Sequence, residues 1–234
     1  MTNKVFQSFY LAIIGHNLHI DYFNSKDENS HHQKKYLMPD TLDDNLNLTI
    51  LTKFILEKVK DFEKDVGSFI EKVNLITDAK YDLFSLSLKN KFNSNKIKDA
   101  DVVRLINDAK KLIIRNNKNC FILHILVDKY VIDGKEYLSF PENVNCKEFI
   151  INVRFVTIQN SIAKTLVNLF KSCNVEVVKI ISHQYASRFG DSSDTSPCVA
   201  GKRVTEGINS SEVITHSVHT KSQGLFEKMF NFFS

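Results

Sequence analysis

The sequence predicts an α+β (mixed α/β) body over residues 1–182, followed by a tether. Three observations carry this. Short runs dense in β-branched and aromatic residues recur, as at Phe9–Ile14 and Cys120–Val127. Longer segments between them repeat apolar residues at helical spacing, as at Leu48–Val66. After Ser182 the chain turns to Ser, Thr, Gly and other small residues without a sustained period.

Phe9–Ile14 reads as a buried strand and Leu18–Phe23 as its hairpin partner, with Gly15–Asn17 as the turn. Asn24–Asp40 is polar, holds His31, His32 and Pro39, and reads as a loop. In Leu48–Val66, Ile50, Leu51, Phe54, Ile55, Val59 and Phe62 fall at helical spacing among Lys and Glu, so this is an amphipathic helix. Ile70–Thr77 and Tyr81–Leu88 are strand candidates, and Lys89–Lys98 reads as a loop. A helix over Val102–Ile114 is expected, capped by Asp99 or Asp101. Cys120–Val127 is apolar enough for a central strand. Asp133-Gly134 signals a turn. Phe149–Ile158 reads as a strand, Asn160–Lys171 as a helix capped by Asn160 or Ser161, and Val175–Ser182 as the last strand.

Composition narrows the function. The hydrophobic share of 43% supplies material for a core, and the charged share of 25% is ordinary for a globular chain. The net charge is +4 with both signs interspersed, unlike the dense basic face of a nucleic-acid binder, so no nucleic-acid partner is expected. Cys120, Cys146, Cys173 and Cys198 stand singly, with no metal-ligand spacing, and read as buried reduced thiols of the cytosol. His216 and His219 lack a third ligand nearby, so no metal is expected. Ser192, Ser193 and Ser196 have no His-Asp arrangement beside them, so no catalytic residue is assigned. Met1–Phe9 lacks the apolar region of a signal peptide, and no stretch reaches the length of about 20 apolar residues that spans a bilayer. A cytoplasmic location is expected.

The stretch Ile97–Ser182 carries a resemblance. It holds a helix opening Asp101-Val102-Val103, then Leu123-His124-Ile125-Leu126-Val127-Asp128, with Tyr130 and Asp133 forming a Tyr-x-x-Asp turn. Pro141 follows in a loop, then the strand Phe149–Ile158, and Asn160-Ser161-Ile162-Ala163-Lys164 opening a helix. Ser172-Cys173-Asn174 and the strand Val175–Ser182 complete the series. In this order and spacing the region resembles the FtsA family of bacterial cell-division proteins. It is similar to the strand-helix-strand-strand domain of that family with the strand that returns to the main body. Composition reads 183–223 as a flexible linker ahead of a terminal amphipathic helix at 224–234. The resemblance implies residues 1–80 as a partial actin-like first subdomain and 81–182 as the strand-helix-strand-strand domain with its returning strand. It also implies contacts with division proteins or with other copies of the chain.

The departures from the family pattern set what is not expected. The family's first phosphate loop corresponds to Ile13, Gly15, His16, Asn17 and Leu18, where the glycine alone is kept. Ile13 supplies no acidic side chain for magnesium and Leu18 no charge for phosphate. The second phosphate motif, an Asp-x-Gly-Gly-Gly-Thr run, is absent, and residues 183–223 are too few to hold the second actin-like half. The resemblance therefore implies neither nucleotide cofactor nor ATPase activity here. With that half goes the subdomain through which the family is understood to bind the FtsZ tail, so FtsZ binding is not expected.

The tail makes its own physical case. Wound as a helix, Leu225, Phe226, Met229, Phe230 and Phe233 share one face, opposite Glu227, Lys228 and Asn231. These five are the candidate membrane-binding residues, and family members likewise end in a helix that binds the cytoplasmic face of the inner membrane. The sequence thus predicts a non-catalytic, FtsA-like division adaptor, peripheral on that face. The alternative is a soluble protein-interaction module whose tail helix docks on its own body or on a partner.

Overall fold

The computed structural model describes residues 7–24, 31–39, 48–141, 144–190 and 196–213. The tail residues Leu225, Phe226, Met229, Phe230 and Phe233 lie outside them, as do His216, His219, Ser192 and Ser193.

The strands are β1 (Gln7–Ile14), β2 (Asn17–Asn24), β3 (His31–Leu37), β4 (Lys72–Thr77), β5 (Asp82–Lys96), β6 (Cys120–Ile132), β7 (Lys135–Tyr137), β8 (Asn145–Gln159) and β9 (Glu176–Ser182). The helices are α1 (Leu48–Val66), α2 (Asp99–Asn116), α3 (Asn160–Ser172), α4 (His183–Ala186) and α5 (Pro197–Thr205), with a 3-10 turn at Ser187–Phe189. Two sheets result. The first has order β3-β2-β1-β4-β9, with β1, β2 and β3 antiparallel and β4 and β9 parallel additions. The second is antiparallel in the order β5-β8-β6-β7. This is the mixed α/β class that the sequence predicts.

Inward of its edge strand β3, both faces of the first sheet are covered. On one side α1 and α3 bury Ile55, Val59, Phe62, Ala163 and Phe170 against Leu11, Leu18, Ile20 and Leu75. On the other, Tyr10, Ala12, Ile76 and Ile181 meet Tyr185, Cys198 and Val204 from α4 and α5. The second sheet buries Ile125, Val127, Ile151, Val153 and Phe155 beneath Leu105, Ile106, Ala109 and Ile113 of α2. Leu126 and Val156 join the layer with Tyr185 and Ile181, so the two sheets share a core seam.

Several elements differ from expectation. Residues 24–40 are not all loop, because His31–Leu37 is an edge strand paired with β2. It is exposed along nearly its whole length, so neither face carries the apolar alternation that marks a half-buried strand. Lys89–Lys98 is not a loop either, since β5 runs on to Lys96 as a polar outer strand. The caps also shift. Asp101 lies inside α2, where its carboxylate accepts from the Lys98 N–H at 3.1 Å. Helix α3 has Gln159 at its N-cap without a side-chain cap, and the Asn160 N–H donates instead to the Asn119 carbonyl at 3.0 Å.

The largest correction concerns the linker expected at 183–223. Within it, residues 183–190 and 196–213 are ordered secondary structure and turns on the body. Ser182 Oγ caps α4 and Ser196 Oγ caps α5, with Pro197 in the first turn. Helix α5 buries small residues, Cys198, Ala200 and Gly201, which give a weak amphipathic signal. Gly201 is needed for this approach: a Cβ there would lie 2.7 Å from Ile76 Cγ1.

Candidate functional site

Two arrangements concentrate polar chemistry. The first is a crevice where the parallel strands β4 and β9 end, the position at which open α/β sheets commonly bind ligands. It has a volume of about 610 Å³ and is lined by Asp78, Lys80, Tyr81, Asp82, His183 and Gln184 among others. Beside it lies the β1–β2 turn, where Gly15 takes a positive φ of 52°.

That turn corresponds to the expected phosphate-loop position. Its Gly15 N–H donates to Asp78 Oδ2 at 2.6 Å. A backbone amide that would serve a phosphate oxygen is thus bound to the protein's own carboxylate. Leu18 is fully buried and Ile13 packs against the same core, so both face inward as structural residues. A phosphate entering here would have to displace or approach the Asp78 charge. Two like charges about 4 Å apart repel by roughly 1 kcal/mol in water, rising to about 4 kcal/mol near a protein surface. Burial lowers the His183 pKa while the Asp78 charge acts the other way. His183 therefore offers little positive charge at neutral pH.

The second arrangement is a buried clasp. Residues 209–213 cross from the α5 end to the second sheet. Val127 N–H donates to the Ser211 carbonyl at 2.8 Å, and Val213 N–H to the Ile125 carbonyl at 2.9 Å. Between these bonds, Glu212 faces Leu126 and turns its side chain inward, where it is 3% exposed. Its carboxylate accepts from His124 Nδ1 at 2.9 Å, from Tyr185 Oη at 2.8 Å and from Lys179 Nζ at 3.3 Å. The Ser182 backbone N–H donates to His124 Nε2 at 3.1 Å. His124 is thereby held neutral with its proton on Nδ1. Asn209 Nδ2 donates to Tyr185 Oη at 2.9 Å and completes the network.

The clasp joins β6 of the second sheet to β9 and α4 of the first. Burial lowers the His124 pKa, opposed by its bond to Glu212. For Glu212, burial alone would raise the pKa. Bonds from His124 and Tyr185 and the charge of Lys179 more than offset this, and the net direction is down. Serine, histidine and glutamate meet here, but not as a nucleophilic relay. His124 Nε2 is bound to the Ser182 backbone, Ser182 Oγ accepts from the Tyr185 N–H at 3.3 Å, and His124 is 1% exposed.

His31 and His32 lie on β3 rather than in a loop. His31 Nε2 meets the buried Asp21 Oδ2 at 2.9 Å and stacks on Phe23. The four cysteines are free and buried, and burial raises the Cys198 pKa, with Asp21 adding to it. No cluster of His, Cys, Asp and Glu fit for a metal occurs among the described residues. Among the same residues no helix is long and apolar enough to cross a membrane. Sequence reasoning missed both Asp78 and Glu212. Glu212 lies 88 positions from His124, and no local pattern links the two.

Comparison with known proteins adds the family context. Residues 83–157 match the family model described as the SHS2 domain inserted in FtsA. This span contains the strand-helix-strand-strand succession β5, α2, β6 and β8, with β7 as a short addition. FtsA of Escherichia coli K12 is 25% identical over 103 residues, which cover 42% of this chain and 24% of that protein. FtsA of Shigella flexneri is 25% identical over 103 residues, 42% of this chain and 23% of its own length. The chain spans about a quarter of the length of these curated relatives. Among solved structures, the PilM-PilN type IV pilus biogenesis complex aligns at 9% identity and a TM-score of 0.46, covering 79% of this chain and 49% of that one. The cytoplasmic domain of EpsL, an inner membrane component of the type II secretion system of Vibrio cholerae, aligns at 11% identity and a TM-score of 0.39, with 77% and 59% coverage. A Bacteroides thetaiotaomicron protein with an actin-like ATPase fold aligns at 13% identity and a TM-score of 0.35, with 78% and 55% coverage.

Proposed function

We propose that this FtsA-like chain, a partial and divergent relative, is a non-catalytic cell-division adaptor that works at the cytoplasmic face of the inner membrane. In this reading the SHS2 domain presents the surface for division proteins or for further copies of the chain. The tail helix holds the assembly on the lipid. The match of residues 83–157 to the FtsA domain supports the division role. The observation that carries the non-catalytic part is the bond from Gly15 N–H to Asp78 Oδ2. With its amide taken, its flanking positions filled by Ile13 and Leu18, and a carboxylate at its mouth, the turn lacks the groups that would cradle a phosphate.

The test is calorimetric titration of the full chain with ATP and magnesium at millimolar nucleotide. The expected result is no saturable heat. A saturable isotherm that Gly15→Val removes would replace this reading with a nucleotide-dependent one.

A further inference from the structure

The sheet edges differ in how they are protected. An edge strand offers unpaired N–H and C=O groups, and proteins usually shield it with charge, brevity or cover. Strand β3 carries Lys34 and Lys35 at its centre, where Lys34 pairs with Asp65. Strand β7 is three residues long. Strand β9 is seven residues long, carries Glu176 and Lys179, and leads into α4 beside the clasp. Strand β5 departs from this pattern. It is fifteen residues long and is the outer strand of its sheet, paired with β8 on one side. Its centre, Leu83-Phe84-Ser85-Leu86-Ser87-Leu88, has no charge, Pro or Gly, and the strand's charges lie outside this centre at Asp82, Lys89, Lys91 and Lys96.

The two faces of that centre are distinct. Phe84, Leu86 and Leu88 pack against the α2 core but remain partly exposed, so the core layer ends unfinished at this edge. Ser85 and Ser87 are exposed on the other face, and Leu83 is 51% exposed. We propose that β5 pairs antiparallel with β5 of a second copy about a two-fold axis at Leu86, making one continuous sheet. This deepens the adaptor reading by naming the surface through which copies of the chain meet.

Self-complementarity selects the partner and the register. An axis perpendicular to the sheet keeps both α2 helices on the same side, so opposed residues must share a face. About Leu86, Leu86 meets its copy, Phe84 meets Leu88, and Ser85 meets Ser87. Leu83 meets Lys89 and Asp82 meets Asn90, so no like charges oppose each other. Directly opposed side chains lie about 4.5–5.5 Å apart, so each apolar row extends the other. One strand pair is a small interface, and the free dimer is weak. Concentration of copies on a membrane strengthens it.

The test is sedimentation velocity of the full chain over a wide concentration range without lipid. Wild type is expected to show a reversible monomer–dimer equilibrium. In S85K/S87K the axis brings lysines of both copies together, and the dimer weakens by about tenfold or more. In S85E/S87K each glutamate meets the other copy's lysine, and dimerisation returns to near the wild-type level. Both serines are exposed, and an unchanged melting temperature shows that each variant folds. A wild-type chain monomeric throughout overturns the proposal. So does S85K/S87K dimerising like wild type, or S85E/S87K failing to recover. These readouts involve neither nucleotide nor lipid, so the dimer can fail while the adaptor reading stands.

Discussion

Glu212→Ala is expected to lower stability by roughly 3–5 kcal/mol, the range for removing one partner from a buried ionic network. The reason is the number of groups it strands. His124 Nδ1–H and Tyr185 Oη lose their acceptor, and Lys179 loses its counter-charge. With His124 1% exposed, water cannot readily replace the carboxylate. Urea denaturation should show a lower midpoint, and hydrogen exchange should rise at the Val127 and Val213 amides, the donors of the two backbone bonds between β6 and residues 211–213. Glu212→Gln keeps one acceptor oxygen and should lose less. Acid should act on the same network. Because folding lowers the His124 pKa below its ordinary 6.5, the unfolded chain takes up that proton first. Stability is therefore full above about 6.5 and falls as pH drops through that value. Glu212, lowered from 4.5, adds a second loss below that value, which Glu212→Ala should remove. A variant as stable as wild type would show that residues 209–213 merely lie on the surface of the body.

Phe230→Glu is expected to abolish co-flotation with anionic liposomes. The five apolar tail residues could contribute on the order of 7–15 kcal/mol gross, at roughly 1.5–3 kcal/mol each. Much of that is offset, because a helix this short is marginal in water and must be ordered on binding. The remainder resembles the reversible hold of a single lipid chain. A charge at Phe230 removes one anchor and opposes burial of its neighbours, which a marginal attachment cannot absorb. Lys228 and Lys221 supply little attraction, so raised salt should weaken flotation far less than the substitution does. Flotation unchanged in Phe230→Glu would favour a tail docked on protein.

What was legible in the sequence follows burial. Helix α1 was readable to its ends because Leu51, Ile55, Val59 and Phe62 all face the core at helical spacing. The interior strands β1, β6 and β8 announced themselves by their apolar density. Strand β3 and the far end of β5 did not, because polar outer strands are held by backbone pairing and show no alternation. Helix α5 was hidden for a different reason, since it packs through Gly201 and Ala200, which carry little hydrophobic signal. At the β1–β2 turn, the lack of charge at Ile13 and Leu18 is legible in the sequence. That Asp78 fills the space beside Gly15 depends on β4 lying next to β1, which sequence spacing does not reveal. The clasp is likewise tertiary, and the His124 in a recognisable strand gave no hint of Glu212.

The most direct measurement of the central claim is the position of a fluorescent fusion of the full chain in dividing bacterial cells, compared with the same chain carrying Phe230→Glu. A division adaptor held on the inner membrane predicts a band at the constriction site for the full chain and diffuse cytoplasmic signal for the variant. A full chain spread evenly through the cytoplasm, or a band unaffected by the substitution, would contradict it.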